Sequence, residues 1–232
     1  MDTIPLVWHD IAWAVRRMPA PVRALLQRHG ARVFVAGGFI RACIAQERIN
    51  DIDLFVDSKD YGEACAKELA TPEGRPPRRM LSSENAFTVF VKPFPAQFIH
   101  RWVFGQPHEA LASFDFTIAQ AAIWWDAPNK KWAGACTAEF YPDLAAKRLV
   151  YTSPNRAEAA GGSMLRVLKF YQRGYRIPLD SLGAVIARLV KGIQHDGVDT
   201  AKVLTGLLRE VDPLIDPNHV AHLPANDAGD GE

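Results

Sequence analysis

The chain has 232 residues, 48% of them hydrophobic, enough for one domain, or one domain and a small appendage, around a sizeable core. Its 27 Lys and Arg nearly cancel its 26 Asp and Glu, leaving a formal charge of +1, so no global field points to a nucleic acid or a membrane and any basic patch has to be local. Cys43, Cys65 and Cys136 form neither a CxxC pair nor an even disulfide set, no stretch is long and apolar enough to span a bilayer, and the N-terminus lacks a basic segment leading into an apolar run; the expectation is a cytoplasmic protein with no membrane partner.

The first predicted element is helical. Residues 10–29 have helical character with a break at Met18-Pro19-Ala20-Pro21, because a proline inside a helix removes a donor and clashes with the preceding turn. RVFVAGG reads as a buried, valine-rich strand running into a sharp turn at two glycines, and FIRACIAQE as the helix that leaves it. DIDLFVD is the next strand. Ser58 is placed to cap a helix through YGEACAKELA, since its hydroxyl can accept an orphan amide of the first turn, and TPEGRPPRR follows as a loop. AFTVFV and AQFIHRWVF are two β-rich runs joined at Lys92-Pro93-Phe94-Pro95. PHEALAS reads as a short helix, and DFTIAQAAIWW as a strand paired with KWAGAC across a turn at residues 126–130. From Ser163 the pattern turns helical, in SMLRVLKFYQRGYR, SLGAVIARLVKG and TAKVLTGLLREV. The expected architecture is an α/β head with a mixed sheet followed by a helical C-terminal segment. Its parts are a helical N-terminal segment at 1–31, the head at 32–151, the helical segment at 152–218 and a frayed acidic tail at 219–232.

The chemistry concentrates in VFVAGGFIRACIAQERINDIDLFVD. Glycines at a strand-to-helix turn let the backbone approach a phosphate, and the helix behind them offers unpaired amides, so Gly37 and Gly38 are candidate phosphate contacts. Asp51 and Asp53, two apart on a predicted strand, leave one face and can share one or two divalent metals. Arg41, one turn into the helix, can bring its planar donor fork to the same phosphates. Together these suit a nucleoside triphosphate.

GGFIR followed by DID resembles the signature of the polymerase-β-like nucleotidyltransferases, in particular the head of the poly(A) polymerase and tRNA CCA-adding type. SFDFTIAQAAI is similar to a second segment of that family, which implies that Asp115 lies beside the nucleotide and joins Asp51 and Asp53 in the catalytic set. MLRVLKFYQRGYRIP resembles the neck helix, with Arg166 in the position of an arginine that touches the incoming base and Lys169 and Arg173 further along it. SENAFTVFV and SFDFTIAQ also resemble nucleotidyltransferase-like proteins of bacteriophages, which implies that Ser83 or Asn85 faces the nucleotide and that the protein works in a host cytoplasm. The resemblance covers roughly residues 32–178. It implies Mg2+ or Mn2+ as cofactor, and transfer of a nucleoside monophosphate from a triphosphate to a hydroxyl of RNA, a host protein or a small molecule.

Two departures qualify it. Gly161 and Gly162 stand where CCA-adding enzymes carry an acidic pair that helps select the base, and only about fifty residues follow the neck helix, so CCA addition is not expected. Gln97 stands where a third carboxylate is often found, which keeps open a catalytically silent nucleotide-binding or protein-interaction module beside the enzyme, as well as a toxin-like modifier of host tRNA or protein.

Other features have plainer readings. Arg166, Lys169, Arg173 and Arg176 fall on one predicted helical face opposite Met164, Leu168 and Tyr171; a solvated basic face and a contact with triphosphate or nucleic acid both fit. Ser83 and Asn85 fit ordinary turn chemistry equally well. His219 and His222 lack metal-ligand spacing, and Cys43 and Cys65 read as small buried hydrophobes.

Overall fold

The computed structural model describes residues 2–154, 161–191 and 202–206. The chain divides into two compact units, Met1–Asn155 and Arg156–Glu232. The tail at 219–232 with His219 and His222, and most of TAKVLTGLLREV, lie outside the described residues.

The first unit is built on eight strands: β1 (Thr3–Pro5), β2 (Val33–Ala36), β3 (Ile52–Val56), β4 (Met80–Ser82), β5 (Ala86–Val89), β6 (Ala96–Ile99), β7 (Ala121–Asp126) and β8 (Lys131–Thr137). They form one sheet in the order β1-β8-β7-β2-β3-β6-β5-β4. Only β3 and β6 pair in parallel, so the sheet is mixed, as expected. The helices are α1 (Trp8–Arg17), α2 (Ala20–His29), α3 (Gly38–Ile44), α4 (Lys59–Ala70), α5 (Pro107–Leu111) and α6 (Phe140–Ala145). The break at Met18-Pro19 separates α1 from α2, and the Ser58 hydroxyl accepts from the Tyr61 amide at 3.3 Å to start α4.

Strand alternation gives the sheet two different faces. Val33, Val35, Ile52, Leu54, Val56, Ala96 and Phe98 are buried on one. There α4 comes close because Gly62 has no side chain; a Cβ would stand 3.0 Å from Val56 Cγ2. α2 is tied to α4 through His29, whose two ring nitrogens lie 2.7 Å from Tyr61 Oη and 2.7 Å from Glu68 Oε2. On the other face Phe34 and Phe55 stack at 5.8 Å between ring centroids and join Ala36, Ala122, Ala135 and the α5 residues Ala110 and Leu111 in a core cluster. Burying each ring of this kind stabilises the fold by about 1.5–3 kcal/mol.

The structure departs from the sequence expectations at four points. DFTIAQAAIWW is not one strand: Phe116 makes an isolated bridge to Tyr151, residues Thr117–Ala119 form a 3-10 turn, and β7 begins at Ala121. The buried Thr117 hydroxyl donates to Asp143 Oδ2 at 2.6 Å, a side-chain pull that competes with the ladder. The two outer strands β1 and β4 fall in segments not read as strands, being only three residues each. In the second unit α7 (Gly161–Gln172) ends before Arg173, because Gly174 at φ 86° lets the Tyr175 amide bond the Phe170 carbonyl and the Gly174 amide bond the Tyr171 carbonyl, both at 3.0 Å. Arg176, beyond Gly174, therefore leaves the helical run that carries Arg166 and Lys169, with Arg173 at its end. Leu165, Val167 and Phe170 are buried, whereas Leu168 and Tyr171 are exposed, so the apolar side of α7 is not the one read from the sequence. α8 (Leu179–Val190) follows.

Candidate functional site

β2 and β3 are antiparallel, with Val33 opposite Val56, Phe34 opposite Phe55 and Val35 opposite Leu54. One further step sets Ala36 beside Asp53, so the strand that ends in the glycine turn and the strand that begins with the aspartates meet at one end of the sheet. Gly37 has φ 80° and ψ −132°, a conformation side chains avoid, and a Cβ there would stand 2.9 Å from Phe114 Cε1. The turn thus needs Gly37 for its own backbone and packing, apart from any ligand. Gly38, the first residue of α3, is different: a Cβ would meet only the Arg41 guanidinium at an ordinary 3.6 Å.

Asp51 stands one residue before β3 rather than inside it, and Asp53 is its second residue; both are half-buried. Gln97 on β6 is the register partner of Asp53 and its amide Nε2 donates to Asp51 Oδ2 at 3.4 Å. A neutral amide therefore sits directly beside the two carboxylates. Two carboxylates and an amide oxygen suit a magnesium ion that keeps several waters and takes further oxygens from substrate phosphates. Among the described residues no group of three or more His, Cys, Asp or Glu is arranged to hold a metal by itself.

Arg41 is 7% exposed and its Nε lies 3.3 Å from Glu47 Oε2. Glu47, not singled out from the sequence, is held at the end of α3 by its amide, which donates to the Ala42 carbonyl at 2.9 Å. An acidic residue six positions after a helical arginine gives no recognisable signal, because the chain must leave the helix to bring it back. Cys43, on the same helix, is buried and its thiol is pushed up to about 12, which removes it as a nucleophile.

Asp115 is 2% exposed, in the segment between α5 and the 3-10 turn, where its carbonyl accepts from the Thr152 amide at 2.9 Å. Phe114, its neighbour, packs behind Gly37, so Asp115 directly follows the turn-supporting ring in the chain. Ser83 and Asn85 are at the opposite end of the sheet from Asp51, since Ala86 pairs with Ile99 and Ile99 with Phe55. The Ser83 hydroxyl accepts from the amides of Asn85 at 3.3 Å and Ala86 at 3.1 Å, and Arg101 donates to Asn85 Oδ1 at 3.3 Å. Turn chemistry accounts for both. Arg166 and Lys169 lie on α7 and Arg173 at its C-cap, in the second unit; Gly161 and Gly162 form the first turn of α7.

The fold is shared with known enzymes. A Thermotoga maritima CCA-adding enzyme complexed with tRNA matches at 18% identity and TM-score 0.58, covering 83% of this chain and 47% of that one. A CCA-adding enzyme in complex with ATP matches at 18% identity and TM-score 0.62, covering 91% of this chain and 51% of the other. A tRNA-processing enzyme with CTP matches at 17% identity and TM-score 0.56, covering 84% and 57%. The chain thus spans about half the length of these enzymes, and what it shares with them is the nucleotidyltransferase fold. No curated protein matches the sequence. A family model described as Gabija anti-defense 2 family protein matches residues 11–147, more than half of the chain.

Proposed function

The chain belongs to the Gabija anti-defense 2 family, and we propose that it is a divalent-metal-dependent nucleotidyltransferase through which a phage counters a host defence of that name. The observation that carries this reading is the meeting of Asp51 and Asp53 with the Gly37-Gly38 turn at one end of the antiparallel β2–β3 pair. Asp51 and Asp53 would hold Mg2+ or Mn2+, which would supply charge for the α-phosphate and lower the acceptor hydroxyl's pKa. Gly38 would leave room for the triphosphate at the start of α3, and Arg41, its guanidinium near Gly38, would take the β- and γ-phosphates. Asp115, in the same unit, completes the nucleotide's surroundings in this reading. The acceptor oxygen attacks the α-phosphorus, the bond to the bridging oxygen breaks, and pyrophosphate leaves with the electron pair.

The test is incubation of the protein with each α-labelled triphosphate, Mg2+ or Mn2+, and extract from cells with and without the defence. Label on a macromolecule, absent with Asp51→Asn and with Asp53→Asn while both variants stay folded, is the expected result. A second reading, a silent nucleotide-binding or interaction module, is favoured by the hydrogen bond from Gln97 to Asp51. Full counter-defence by Asp53→Asn in cells, with no labelling by the parent, would establish it instead.

A further inference from the structure

The face that carries Asp53 continues across the sheet to an open edge. Thr88 on β5 lies opposite Gln97, and Gln97 opposite Asp53, so all three side chains leave the same face. Phe90, two residues after Thr88, follows the same alternation: Val89 and Val91 are buried while Phe90 is 41% exposed. Arg79 extends β4 by one rung, its carbonyl accepting from the Phe90 amide at 3.0 Å, and its guanidinium lies over the Phe90 ring, 5.1 Å from the centroid. Leu81, two residues on, faces the same way and is 45% exposed. From Asp53 to this rim is three strand spacings, about 15 Å at ~4.8 Å each.

Charge decides what such a surface fits. Residues 71–101 carry Arg75, Arg78, Arg79, Lys92 and Arg101 against only Glu73 and Glu84, although the whole chain is balanced to +1. A ring open to solvent, an arginine over it and a local excess of cations suit the flat faces and phosphates of unpaired nucleotides. A protein hydroxyl acceptor brings no flat π-face to match.

We propose that Arg79, Leu81 and Phe90 form the acceptor surface, and that the acceptor is the end of a single-stranded nucleic acid, with one base stacked on Phe90 and its backbone held by Arg79 and Lys92. This rests on the reading of Asp51 and Asp53 as the transfer site and names the substrate class of that site.

The experiment is fluorescence anisotropy of labelled single-stranded RNA and DNA oligonucleotides with the full chain, across a salt series, without triphosphate so that binding is measured apart from transfer. The parent should bind oligonucleotide in the absence of triphosphate, with RNA or DNA preference naming the source. Phe90→Ala should weaken binding by about 5- to 100-fold, Phe90→Leu likewise, and Phe90→Tyr should restore it. Arg79→Ala should reduce the salt slope by about one. Oligonucleotide binding that is absent from the parent, or unchanged in Phe90→Ala, overturns the proposal. So does sedimentation in which Phe90→Ala dissolves a dimer without touching oligonucleotide affinity, since Phe90 would then belong to an interface between copies. Phe90-dependent binding with no transfer of label supports the surface and tells against the transfer reading, which keeps the two failures apart.

Discussion

Gln97 is the residue on which the chemistry of this site turns. Its register opposite Asp53 puts whatever side chain stands there beside the two carboxylates, and its amide now neutralises part of the Asp51 charge by donating to it. Gln97→Glu replaces that donor with a third carboxylate. Like charges this close repel, so the variant should melt below the parent without metal. Mn2+ or Mg2+ binding only the folded state should then raise its melting temperature by more than the parent's. Equal metal shifts in the two proteins would remove Asp51 and Asp53 from consideration as ligands. The cysteines make a second, independent case at this scale. Burial pushes the thiols of Cys43, Cys65 and Cys136 each up to about 12. A thiol-specific reagent at pH 8 should therefore label none of them in the native protein and all three after denaturation. Prompt labelling of the native chain would mean that at least one thiol is accessible and in thiolate form.

Among the elements, the β2–α3 turn separates what a glycine does for the fold from what it does for a ligand. Gly37→Ala must adopt φ 80° and push aside the Phe114 ring, so it should cost about 1–3 kcal/mol of stability whether or not a nucleotide binds. Gly38→Ala adds a methyl at ordinary contact distance in the first turn of a helix, where alanine is no worse than glycine. It should melt at or slightly above the parent temperature yet lose triphosphate affinity in calorimetry, because the methyl occupies the space a phosphate would use. Retained affinity in Gly38→Ala would make the glycine pair purely structural. This element was also the most legible in the sequence: a valine-rich run closed by two glycines, then a strand begun by two aspartates, has local signals for each turn. The 3-10 turn at Thr117–Ala119 was not legible, since what breaks the strand is the Thr117 hydroxyl reaching Asp143, a residue 26 positions away. The end of α7 was misread for the opposite reason, because the periodicity of arginines ran on past the Gly174 that stops the helix. The Arg41–Glu47 pair and the closeness of Phe114 to Gly37 were invisible because they depend on how loops return, not on what any segment prefers.

At the scale of the whole molecule the question is how far a shared fold carries a shared reaction. The head has the mixed sheet of the CCA-adding enzymes at TM-scores near 0.6, but at 18% identity the site must be argued from its own residues. Ordered addition of C, C and A requires groups that present donors and acceptors to the base edge and change between them. In the first turn of α7, where an acidic pair would serve, stand Gly161 and Gly162, which have no side chain to offer an edge of either base. Arg166, further along the same helix, carries donors only and cannot alternate between the patterns of cytosine and adenine. The prediction is that the purified protein, given Mg2+, CTP, ATP and a tRNA trimmed of its terminal CCA, leaves that tRNA without an ordered CCA end. Any addition that does occur should be of one nucleotide or of mixed sequence. Sequencing of the product ends decides the matter: a faithful C, C, A run would require a base-reading group that the helix opening at Gly161 does not supply, and would return the chain to the CCA-adding reaction.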